Sequence, residues 1–520
     1  MTAAPSPGVF PVVDELVCDA ETPVGVYARL RASKVPTFML ESVVGGERWA
    51  RYSFLGVGYR ARLVGRIVND RLQVRLEPGP ELKPRPELVA EVERREGFAA
   101  VEAVLEHYGA PASLAKEAGL PPFWGGVVGV FGHEIIRDFE KLPRPAKHAE
   151  AKGELEDLPA FELWVTDSLV IFDNLTQRLR VVSAACPADD GGEAAARAQA
   201  EARVARIVET LQGPGTSLPA MRAEVMSEAT PRVAPSAQGS SYPELVERAR
   251  EYIHAGDVFQ LVLSQPFVEP RDGLDPLSIY RALRFTNPAP YMYLLELCEG
   301  TLVGASPEVL VRVDRDDRRV TVRPIAGTRR RGRDAAEDLE LERELLADPK
   351  ERAEHLMLID LGRNDVGRIA EPGSVRVPES FVIERYSRVM HIVSEVWGTL
   401  RAELSSLDAL RATFPTGTLS GAPKVRALEL IDELESVPRG WYGGAVGYIG
   451  FDGGADFAIC IRTVVVGETE LRVQAGAGLV FDSVPEAEDE ECKRKASAVL
   501  RALAMARRAE GKARPHEGEG

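Results

Sequence analysis

The chain has 520 residues, of which 45% are apolar and 28% charged, and its formal net charge at pH 7 is −16. These values are typical of a globular protein of about two to four domains. The negative charge argues against nucleic acid or an anionic membrane as a partner, and an anionic substrate would need a local cluster of cations or a metal.

Targeting signals and cysteine frameworks are not evident in the sequence. No apolar run approaches the roughly 20 residues of a membrane span, and the start, MTAAPSPGVF, does not resemble a signal peptide. The cysteines contain no CxxC pair and are scattered through the chain: Cys18, Cys186, Cys298, Cys460 and Cys492. The pattern predicts reduced thiols in a cytoplasmic protein and no disulfide framework or zinc site.

The first half of the chain carries strand patterns around one helical stretch. Residues 25–80 alternate apolar and polar side chains between glycine-rich turns, which predicts antiparallel strands, and residues 85–120 have a helical pattern. Further strands are predicted at 123–132, 162–174 and 178–184, followed by an amphipathic helix at 191–212.

Residues 213–240 are rich in Pro, Ser, Ala and Gly and are predicted to connect two halves. The second half mixes helices and strands without regular βαβ alternation, so neither a Rossmann fold nor a barrel is favoured. The predicted helices are 242–257, 335–347, 350–362, one after Pro423 and one from Pro485. The predicted strands are 258–267, 291–297, 301–313, 319–327, 391–402, 441–451, 456–466 and 471–481.

Two E-x-x-E pairs on separate predicted helices are candidates for a shared metal site. Glu351 and Glu354 are three residues apart, and so are Glu488 and Glu491, with Lys495 on the same face. If the helices met, up to four carboxylates would converge, and a divalent cation with all-oxygen ligands, Mg²⁺ or Ca²⁺, would relieve their repulsion. The alternative is that each is a solvated helix face whose first-turn acids complement the helix dipole.

The stretch FPTGTLSGAPK, residues 414–424, has two interpretations. Gly417 and Gly421 precede Pro423 at a predicted helix start, and free backbone N–H groups there can bind an anion. The stretch is not a Walker A loop, and it can equally be a plain helix-entry turn.

Three further features are candidates for contact with a ligand. Arg462 lies in a strongly apolar strand and needs a carboxylate partner, which either the protein or a ligand could supply. Gly476 and Gly478 could let a ligand approach the backbone. In RPIAGTRRRG, residues 323–332, the arginine run is more often solvated than functional, whereas the Gly327-Thr328 turn could hold a carboxylate.

Together these motifs resemble the chorismate-utilising enzyme family. They are PIAGT, EHLMLIDLGRNDVGR, FPTGTLSGAPK, GGAVGY, IRT, QAGAG and the acidic stretch from Asp482 to Ala496, in matching order over residues 241–502. The first half is similar to anthranilate synthase large subunits through LES at 40–42 and RYSFLG at 51–56. The resemblance implies an α+β fold of two packed antiparallel sheets with surrounding helices. The expected units are an N-terminal domain at 20–185, a helix and connector at 186–240, a catalytic domain at 241–502 and a tail at 503–520.

The resemblance also implies a set of site residues. Mg²⁺ would be bound by Glu354 and Glu491, with Glu351 and Glu488 in support. Chorismate would be contacted by Thr328, Tyr442, Arg462, Gly476, Gly478 and Lys495. The residues implied to take part in catalysis are Thr328, Lys495, Gln260 and His391, of which His391 would assist pyruvate elimination. Taken alone, His391 would be a satisfied core histidine.

Two positions distinguish members of the family by their nucleophile. Water-using isochorismate and salicylate synthases carry a lysine base where this chain has Gln260, and a glutamine cannot act as a base. Aminodeoxychorismate synthases typically carry PIKGT with a nucleophilic lysine, where this chain has Ala326. The resemblance therefore implies that ammonia attacks chorismate and that anthranilate and pyruvate are formed.

The family's properties imply two partners. Ammonia would come from a separate glutamine amidotransferase subunit, making the protein a hetero-oligomer, and tryptophan would be a feedback inhibitor. Its expected site comprises Glu41, Ser42, Arg51, Asn287, Pro290, Tyr291 and Met292. The alternatives are a relic tryptophan site, an aminodeoxychorismate synthase component I, and a non-catalytic chorismate or tryptophan sensor.

Overall fold

The computed structural model of the chain describes residues 8–35, 37–43, 51–69, 71–82, 84–142, 145, 154–155, 157–222, 240–386 and 389–512. Residues 223–239 of the predicted connector and 513–520 of the predicted tail lie outside them.

The strands of the first half are β1 (Phe10–Val17), β2 (Thr37–Glu41), β3 (Tyr52–Val68), β4 (Arg71–Pro78), β5 (Gly126–Phe131), β6 (Phe161–Asp173) and β7 (Arg178–Ala185). Those of the second half are β8 (Gln260–Pro270), β9 (Tyr291–Glu296), β10 (Thr301–Ser306), β11 (Val309–Val313), β12 (Arg319–Val322), β13 (Ile325–Arg330), β14 (Arg376–Arg385), β15 (Val389–Thr399), β16 (Gly421–Ala422), β17 (Ala445–Gly450), β18 (Ala455–Ile459), β19 (Thr463–Val466) and β20 (Glu470–Leu479).

The α-helices are α1 (Pro23–Ala32), α2 (Pro86–Arg94), α3 (Phe98–Tyr108), α4 (Ala112–Glu117), α5 (Glu193–Gln212), α6 (Tyr242–Ala255), α7 (Pro276–Thr286), α8 (Ala335–Ala347), α9 (Pro349–Gly367), α10 (Ser406–Thr413), α11 (Lys424–Leu434) and α12 (Pro485–Ala509). Short 3₁₀ turns lie at His133–Asp138 and Gly417–Leu419. In the described part of the chain, no helix is long and apolar enough to cross a membrane.

A long ribbon of β3 and β6 joins two antiparallel sheets. The strands pair from Tyr52 opposite Asp173 to Gly65 opposite Phe161. At one end, β6 continues into β7 and β1, while β3 continues through β2, β9, β10, β19, β20, β8 and β16. At the other end, β3 pairs with β4, and β6 leads through β5, β17, β18, β11, β12 and β15 to β13 and β14. The predicted fold class is confirmed.

The two sheets pack through a shared core that the two halves of the chain build together. The Tyr291 hydroxyl on β9 donates to Asp456 on β18 at 2.8 Å, so the sheets face one another there. Pairing of β2 with β9 and of β5 with β17 joins strands of both halves. The predicted domain ranges therefore describe stretches of sequence, because both sheets mix strands from the two halves.

Several predicted elements differ from the structure. The stretch 25–80 was expected to be all strand, but Pro23–Ala32 is a helix, capped by the Thr22 side chain accepting from Gly25 N at 3.1 Å. The strand predicted at 456–466 is interrupted, and Arg462 lies in the break at φ +52°. The last helix runs past residue 502 to Ala509, where the sequence predicted a tail.

Candidate active site

Helix α9 carries the first pair of glutamates. It begins at Pro349, and the side chain of the N-cap residue Asp348 accepts from the backbone N–H groups of Lys350 at 2.9 Å and Glu351 at 3.2 Å. Glu351 and Glu354 therefore lie in its first two turns. Gln260 Nε2 donates to Glu354 Oε1 at 3.3 Å, which brings the helix to the start of β8.

Helix α12 carries the second pair. Pro485 opens it, and Lys495 Nζ donates to Glu491 Oε1 at 2.8 Å and to the Gly476 carbonyl at 2.9 Å. Burial acts to raise the pKa of Glu491, but the Lys495 charge and hydrogen bond outweigh it and lower that pKa. Burial raises the pKa of Glu488, and the Glu491 carboxylate adds to the effect. Glu488 is therefore easier to protonate than a free glutamate, and Glu491 is held ionised.

Side-chain contacts hold the two pairs of glutamates beside the paired strands β8 and β20, because Gln260 donates to Glu354 and Lys495 joins Glu491 to the Gly476 carbonyl. Burial raises the pKa of Glu354, and the charges of Glu351 and of Glu491, on the other helix, raise it further. Lys350 lowers the pKa of both Glu354 and Glu491, so its charge reaches both helices. A set of carboxylate oxygens that repel one another is a donor set that suits a hard divalent cation.

These four glutamates do not form a closed cage of ligands. Among the described residues, the group of three possible ligands whose atoms lie within 4.8 Å of one another is His107, Cys186 and Asp189, on other elements. Mg²⁺ typically takes one or two protein carboxylates and keeps several waters. An open arrangement of Glu354 and Glu491 fits that preference.

His391 lies on β15 directly opposite Thr328 of β13, beside a register shift between Ala326 and Thr328. Its Nδ1 lies 2.9 Å from the Gly327 carbonyl and 3.1 Å from Thr328 Oγ1. A carbonyl can only accept, so Nδ1 carries the proton and Nε2 keeps a lone pair. Burial lowers the pKa of His391, and the Arg462 charge lowers it further against the Gly327 hydrogen bond. The ring is therefore a neutral group that can accept a proton.

Arg462 and Tyr442 lie together beside this histidine. Burial lowers the pKa of Arg462, opposed by the nearby Tyr442 and Glu491. In the part of the chain that the structure describes, the Arg462 guanidinium has no hydrogen bond or ion pair, which leaves a ligand as the predicted source of its partner carboxylate. Burial raises the pKa of the Tyr442 hydroxyl well above its usual range. A half-buried cation without a protein partner is a binding group for an anion.

The remaining substrate candidates border the same space. Gly478 lies opposite Val262 on β8, and a side chain at Gly478 would meet Gln260 Nε2 at 2.8 Å. Gly476 is fully strand-paired, and its carbonyl holds Lys495. The buried oxygen Gln260 Oε1 has no hydrogen-bond partner. Ala326 is paired opposite Ile392, close to the Gly327–His391 contact.

Glu308 is a candidate that sequence reasoning missed. It follows β10 and is 8% exposed; burial raises its pKa to about 8, against the Thr418 hydrogen bond and the Lys495 charge. The Thr418 hydroxyl donates to Glu308 Oε1 at 2.9 Å. A buried carboxylic acid that stays protonated near neutral pH, within reach of the Lys495 charge, is a proton donor. The apolar surroundings that raise this pKa come from tertiary packing and leave no local sequence signal.

The FPTGTLSGAPK stretch supports this acid. Its 3₁₀ turn presents Thr418 to Glu308, and Gly421 pairs with Leu261 of β8 at φ +140°, where a side chain would meet the Gln260 carbonyl at 2.2 Å. Lys424 Nζ forms an ion pair with Asp365 of α9 at 3.0 Å. The stretch thus ties β8 to α9, and its predicted anion-binding role stays a prediction.

Three of the residues predicted to bind tryptophan lie on β2 or β9: Glu41, Tyr291 and Met292. Glu41 is buried and accepts from the Tyr280 hydroxyl at 2.6 Å and from Arg284 Nε and Nη2 at 3.0 Å each. Met292 is opposite Glu41 in the strand register. Tyr291 donates to Asp456.

The other predicted members of this group flank these strands. Val43, next to Ser42, donates its N–H to the Ala289 carbonyl at 3.3 Å, which brings Ser42 to the segment of Asn287 and Pro290. Arg51, which directly precedes β3, forms an ion pair with Asp173 at 2.9 Å. The structure therefore brings Glu41, Ser42 and the 287–292 segment together, whereas the Arg51 side chain is held by β6.

Known proteins resemble this chain over almost all of its length. A family described as chorismate binding enzyme matches residues 76–501. Anthranilate synthase component 1 of Pseudomonas putida is 45% identical over 97% of both chains, and that of Aquifex aeolicus is 42% identical over 96% of this chain and 95% of its own.

Solved structures also resemble this chain over almost all of its length. Anthranilate synthase component I of Streptococcus pneumoniae TIGR4 has a TM-score of 0.69 and 32% identity over 93% of this chain and 98% of its own. The menaquinone-specific isochorismate synthase of Escherichia coli has a TM-score of 0.68 over 96% of this chain and 95% of its own; at 18% identity it shows the fold alone.

Proposed function

The chain belongs to the chorismate-binding enzyme family, and from that premise we propose that it acts as the large subunit of an anthranilate synthase. It would convert chorismate and ammonia to anthranilate and pyruvate, as the names of its relatives suggest. The observation that carries the proposal is that Glu354 and Glu491 are held beside the paired strands β8 and β20, with the unpartnered Arg462 near Glu491.

Charge explains how this site would bind a dianion in a chain of charge −16. Glu354 and Glu491 would hold Mg²⁺, with Glu351 and Glu488 nearby. Mg²⁺ would supply an electrostatic clamp for a substrate carboxylate. Arg462 would pair with the other carboxylate, with Tyr442, Thr328 and the backbone at Gly476 and Gly478 completing the contacts.

Two groups of the chain would move protons. Ammonia adds to C2 of chorismate and the ring hydroxyl at C4 leaves; Glu308, protonated near neutral pH, would donate the proton that turns this hydroxyl into water. His391 would then accept the C2 proton at Nε2 as the enolpyruvyl group leaves and becomes pyruvate, which gives the aromatic ring of anthranilate. Lys495 would hold Glu491 ionised throughout.

Gln260 and Ala326 support ammonia as the nucleophile. A lysine at 260 could activate water, whereas the Gln260 amide is committed to Glu354 as a donor at 3.3 Å. Ala326 offers no amine that could attack the ring. An aminodeoxychorismate synthase remains the second candidate, because it forms a related amino product from the same substrate.

The remaining features extend the proposal. A separate glutamine amidotransferase subunit would supply the ammonia, so the protein would act in a hetero-oligomer in the cytoplasm. Tryptophan would bind near Glu41, Ser42 and the 287–292 segment and inhibit the enzyme. A relic site and a non-catalytic sensor are the opposing outcomes.

One assay tests the proposed function. The chain alone is supplied with chorismate, Mg²⁺ and ammonium, and anthranilate is followed by fluorescence. Fluorescence should rise only when all three are present. A chain that binds chorismate without consuming it would be a sensor, and consumption of chorismate without fluorescence would indicate another family activity.

A further inference from the structure

Arg329 differs from the other arginines of the RPIAGTRRRG stretch. Arg330, Arg331 and Arg333 pair with Glu337 or Asp338 near the start of α8. Arg329 instead points to the metal-binding helix: its Nη1 donates to Glu351 Oε1 at 3.1 Å. The expectation of a solvated arginine run is therefore wrong for this residue.

The Arg329 guanidinium joins three carboxylates. Besides Glu351, its Nε donates to Glu344 Oε1 at 3.0 Å and its Nη2 to Asp348 Oδ2 at 3.1 Å. Glu344 lies in the last turn of α8, and Asp348 is the N-cap of α9. One side chain thus fixes the junction from which the helix bearing Glu354 begins.

Arg329 also lies on β13, the strand that pairs with β15 and contacts the candidate base His391. Its neighbours Gly327 and Thr328 are the two residues that contact His391 Nδ1. A side chain at Gly327 would meet Glu351 Oε2 at 3.1 Å, so the Glu351 carboxylate lies directly against this turn. The same ion pair therefore connects the substrate side of the site with its metal side.

The charge of Glu351 reaches the metal ligands. It contributes to the raised pKa of Glu354 on the next turn. Four carboxylates border the site (Glu351, Glu354, Glu488 and Glu491), and four cations border them: Arg329, Lys350, Arg462 and Lys495. Removing the Arg329 charge would therefore make this cluster more negative.

We propose that Arg329 is a positioning residue that keeps the Glu351 carboxylate out of the metal's coordination and so sets the charge that the substrate meets. Glu351 then forms an ion pair with Arg329 and does not bind the metal. Glu354 and Glu491 remain the two carboxylates available to the cation. The metal part of this inference concerns the free protein; the substrate part rests on the proposed function.

The proposal predicts opposite effects on the metal and on the substrate. In Arg329→Gln, Glu351 loses its cation and becomes free to attract Mg²⁺, so Mg²⁺ should bind the substrate-free protein about tenfold more tightly. The added negative charge should raise the KM for chorismate by about tenfold. If Arg329 only stabilised the fold, its substitution would weaken the binding of both Mg²⁺ and chorismate.

Isothermal titration with Mg²⁺ alone tests the inference, with Arg330→Gln as the matched control. Arg330 is the next residue on the same strand, and its partner Glu337 lies outside the site, so this variant should bind Mg²⁺ like the unmutated chain. The double variant Arg329→Gln/Glu351→Gln should lose the gain in affinity, because the freed carboxylate is absent. Arg329→Lys keeps the charge and should bind Mg²⁺ like the unmutated chain.

Weaker or unchanged Mg²⁺ binding in folded Arg329→Gln would overturn the proposal. If that variant does not fold, Glu351→Gln decides: its Mg²⁺ affinity should change by less than about threefold, because Glu351 is not a ligand, and a larger loss would overturn the proposal. Neither titration uses chorismate. A chain that shows the predicted Mg²⁺ pattern but forms no anthranilate would refute the proposed function and leave the Arg329 inference standing.

Discussion

The catalytic region and the region around Glu41 differ in whether their buried charges are paired within the protein. Near Glu354 and Glu491, like charges lie close together, Arg462 has no protein partner within the described residues, and Gln260 Oε1 is buried without a hydrogen bond. Around Glu41, Tyr280 and Arg284 occupy both carboxylate oxygens. The first region has the unmet charge of a site that a ligand completes, whereas the second is held together by its own partners.

This difference separates function from stability. Charges that the protein leaves unpaired cost free energy in the unliganded state, and such costs are typical of active sites. Charges that the protein pairs internally hold the fold, and removing one partner leaves the other buried alone. A ligand at the second region would bind to surfaces other than the Glu41 carboxylate, unless it displaces Arg284 or Tyr280.

Glu354→Gln and Glu491→Gln should give the largest effects. Each removes a carboxylate from the proposed cation site, so we expect activity to fall about a hundredfold or more, with unchanged circular dichroism. Glu490→Gln is the matched control, because Glu490 is exposed on the same helix and pairs with Lys493. Near-full activity of Glu354→Gln or Glu491→Gln at limiting Mg²⁺ would show that the ligand assignment is wrong.

A pair of arginine substitutions compares the two regions directly. Arg462→Met should abolish most activity without lowering the free energy of unfolding, because a desolvated cation without a partner is removed. Arg284→Met should lower that free energy by about 1–2 kcal/mol, because Glu41 keeps only Tyr280; the estimate allows for the 39% exposure of the Arg284 side chain. Urea denaturation measures the free energy of unfolding of each variant, and the anthranilate assay measures its activity. If both variants lowered the free energy of unfolding equally, the proposed difference between the two regions would be wrong.

Ser42→Phe tests whether the second region is regulatory. Ser42 lies beside the 287–292 segment, and a phenyl ring there should exclude tryptophan and abolish inhibition with little change in uninhibited turnover. The assay is run with ammonium and with glutamine plus the amidotransferase subunit. If tryptophan does not inhibit the unmutated chain with either ammonium or glutamine as the nitrogen source, the site is a relic. Lost activity with inhibition retained would place Ser42 in the structural core instead.

A further prediction concerns pH and the scaffold of the catalytic region. His355 follows Glu354, is fully buried, and has Nε2 2.7 Å from Ser394 Oγ; burial lowers its pKa from 6.5 to about 4. The neutral ring is favoured in the folded state, so its contribution is complete above about pH 6.5 and is lost as pH falls toward 4, by about 3 kcal/mol at most. In His355→Gln, the free energy of unfolding should fall less steeply between pH 6.5 and 4. If the slope is unchanged, His355 does not cause this pH dependence.

The sequence predicted those parts of the site that depend on local pattern. Glu351, Glu354, Glu488, Glu491 and Lys495 follow from helical spacing, and the family resemblance named the metal. The helix at Pro23 was missed although Thr22 followed by proline is a start signal. Arg462 was placed inside a strand because the apolar pattern continues across the break at its positive φ.

Residues whose role depends on distant neighbours were missed. Glu308 stands in an ordinary strand-turn sequence, and only packing against Thr418 and the surrounding core keeps it protonated. Arg329 looks like one of several surface arginines until α8 and α9 fold against it. Sequence periodicity carries information about which face a residue shares, but not about which separate element will cover it.

The central claim is most directly tested by identifying the product of the unmutated chain by mass spectrometry, with chorismate, Mg²⁺ and ¹⁵N-ammonium. The account predicts anthranilate carrying one ¹⁵N atom, together with pyruvate. Isochorismate without the label, or a labelled amino product that keeps its enolpyruvyl group, would contradict it.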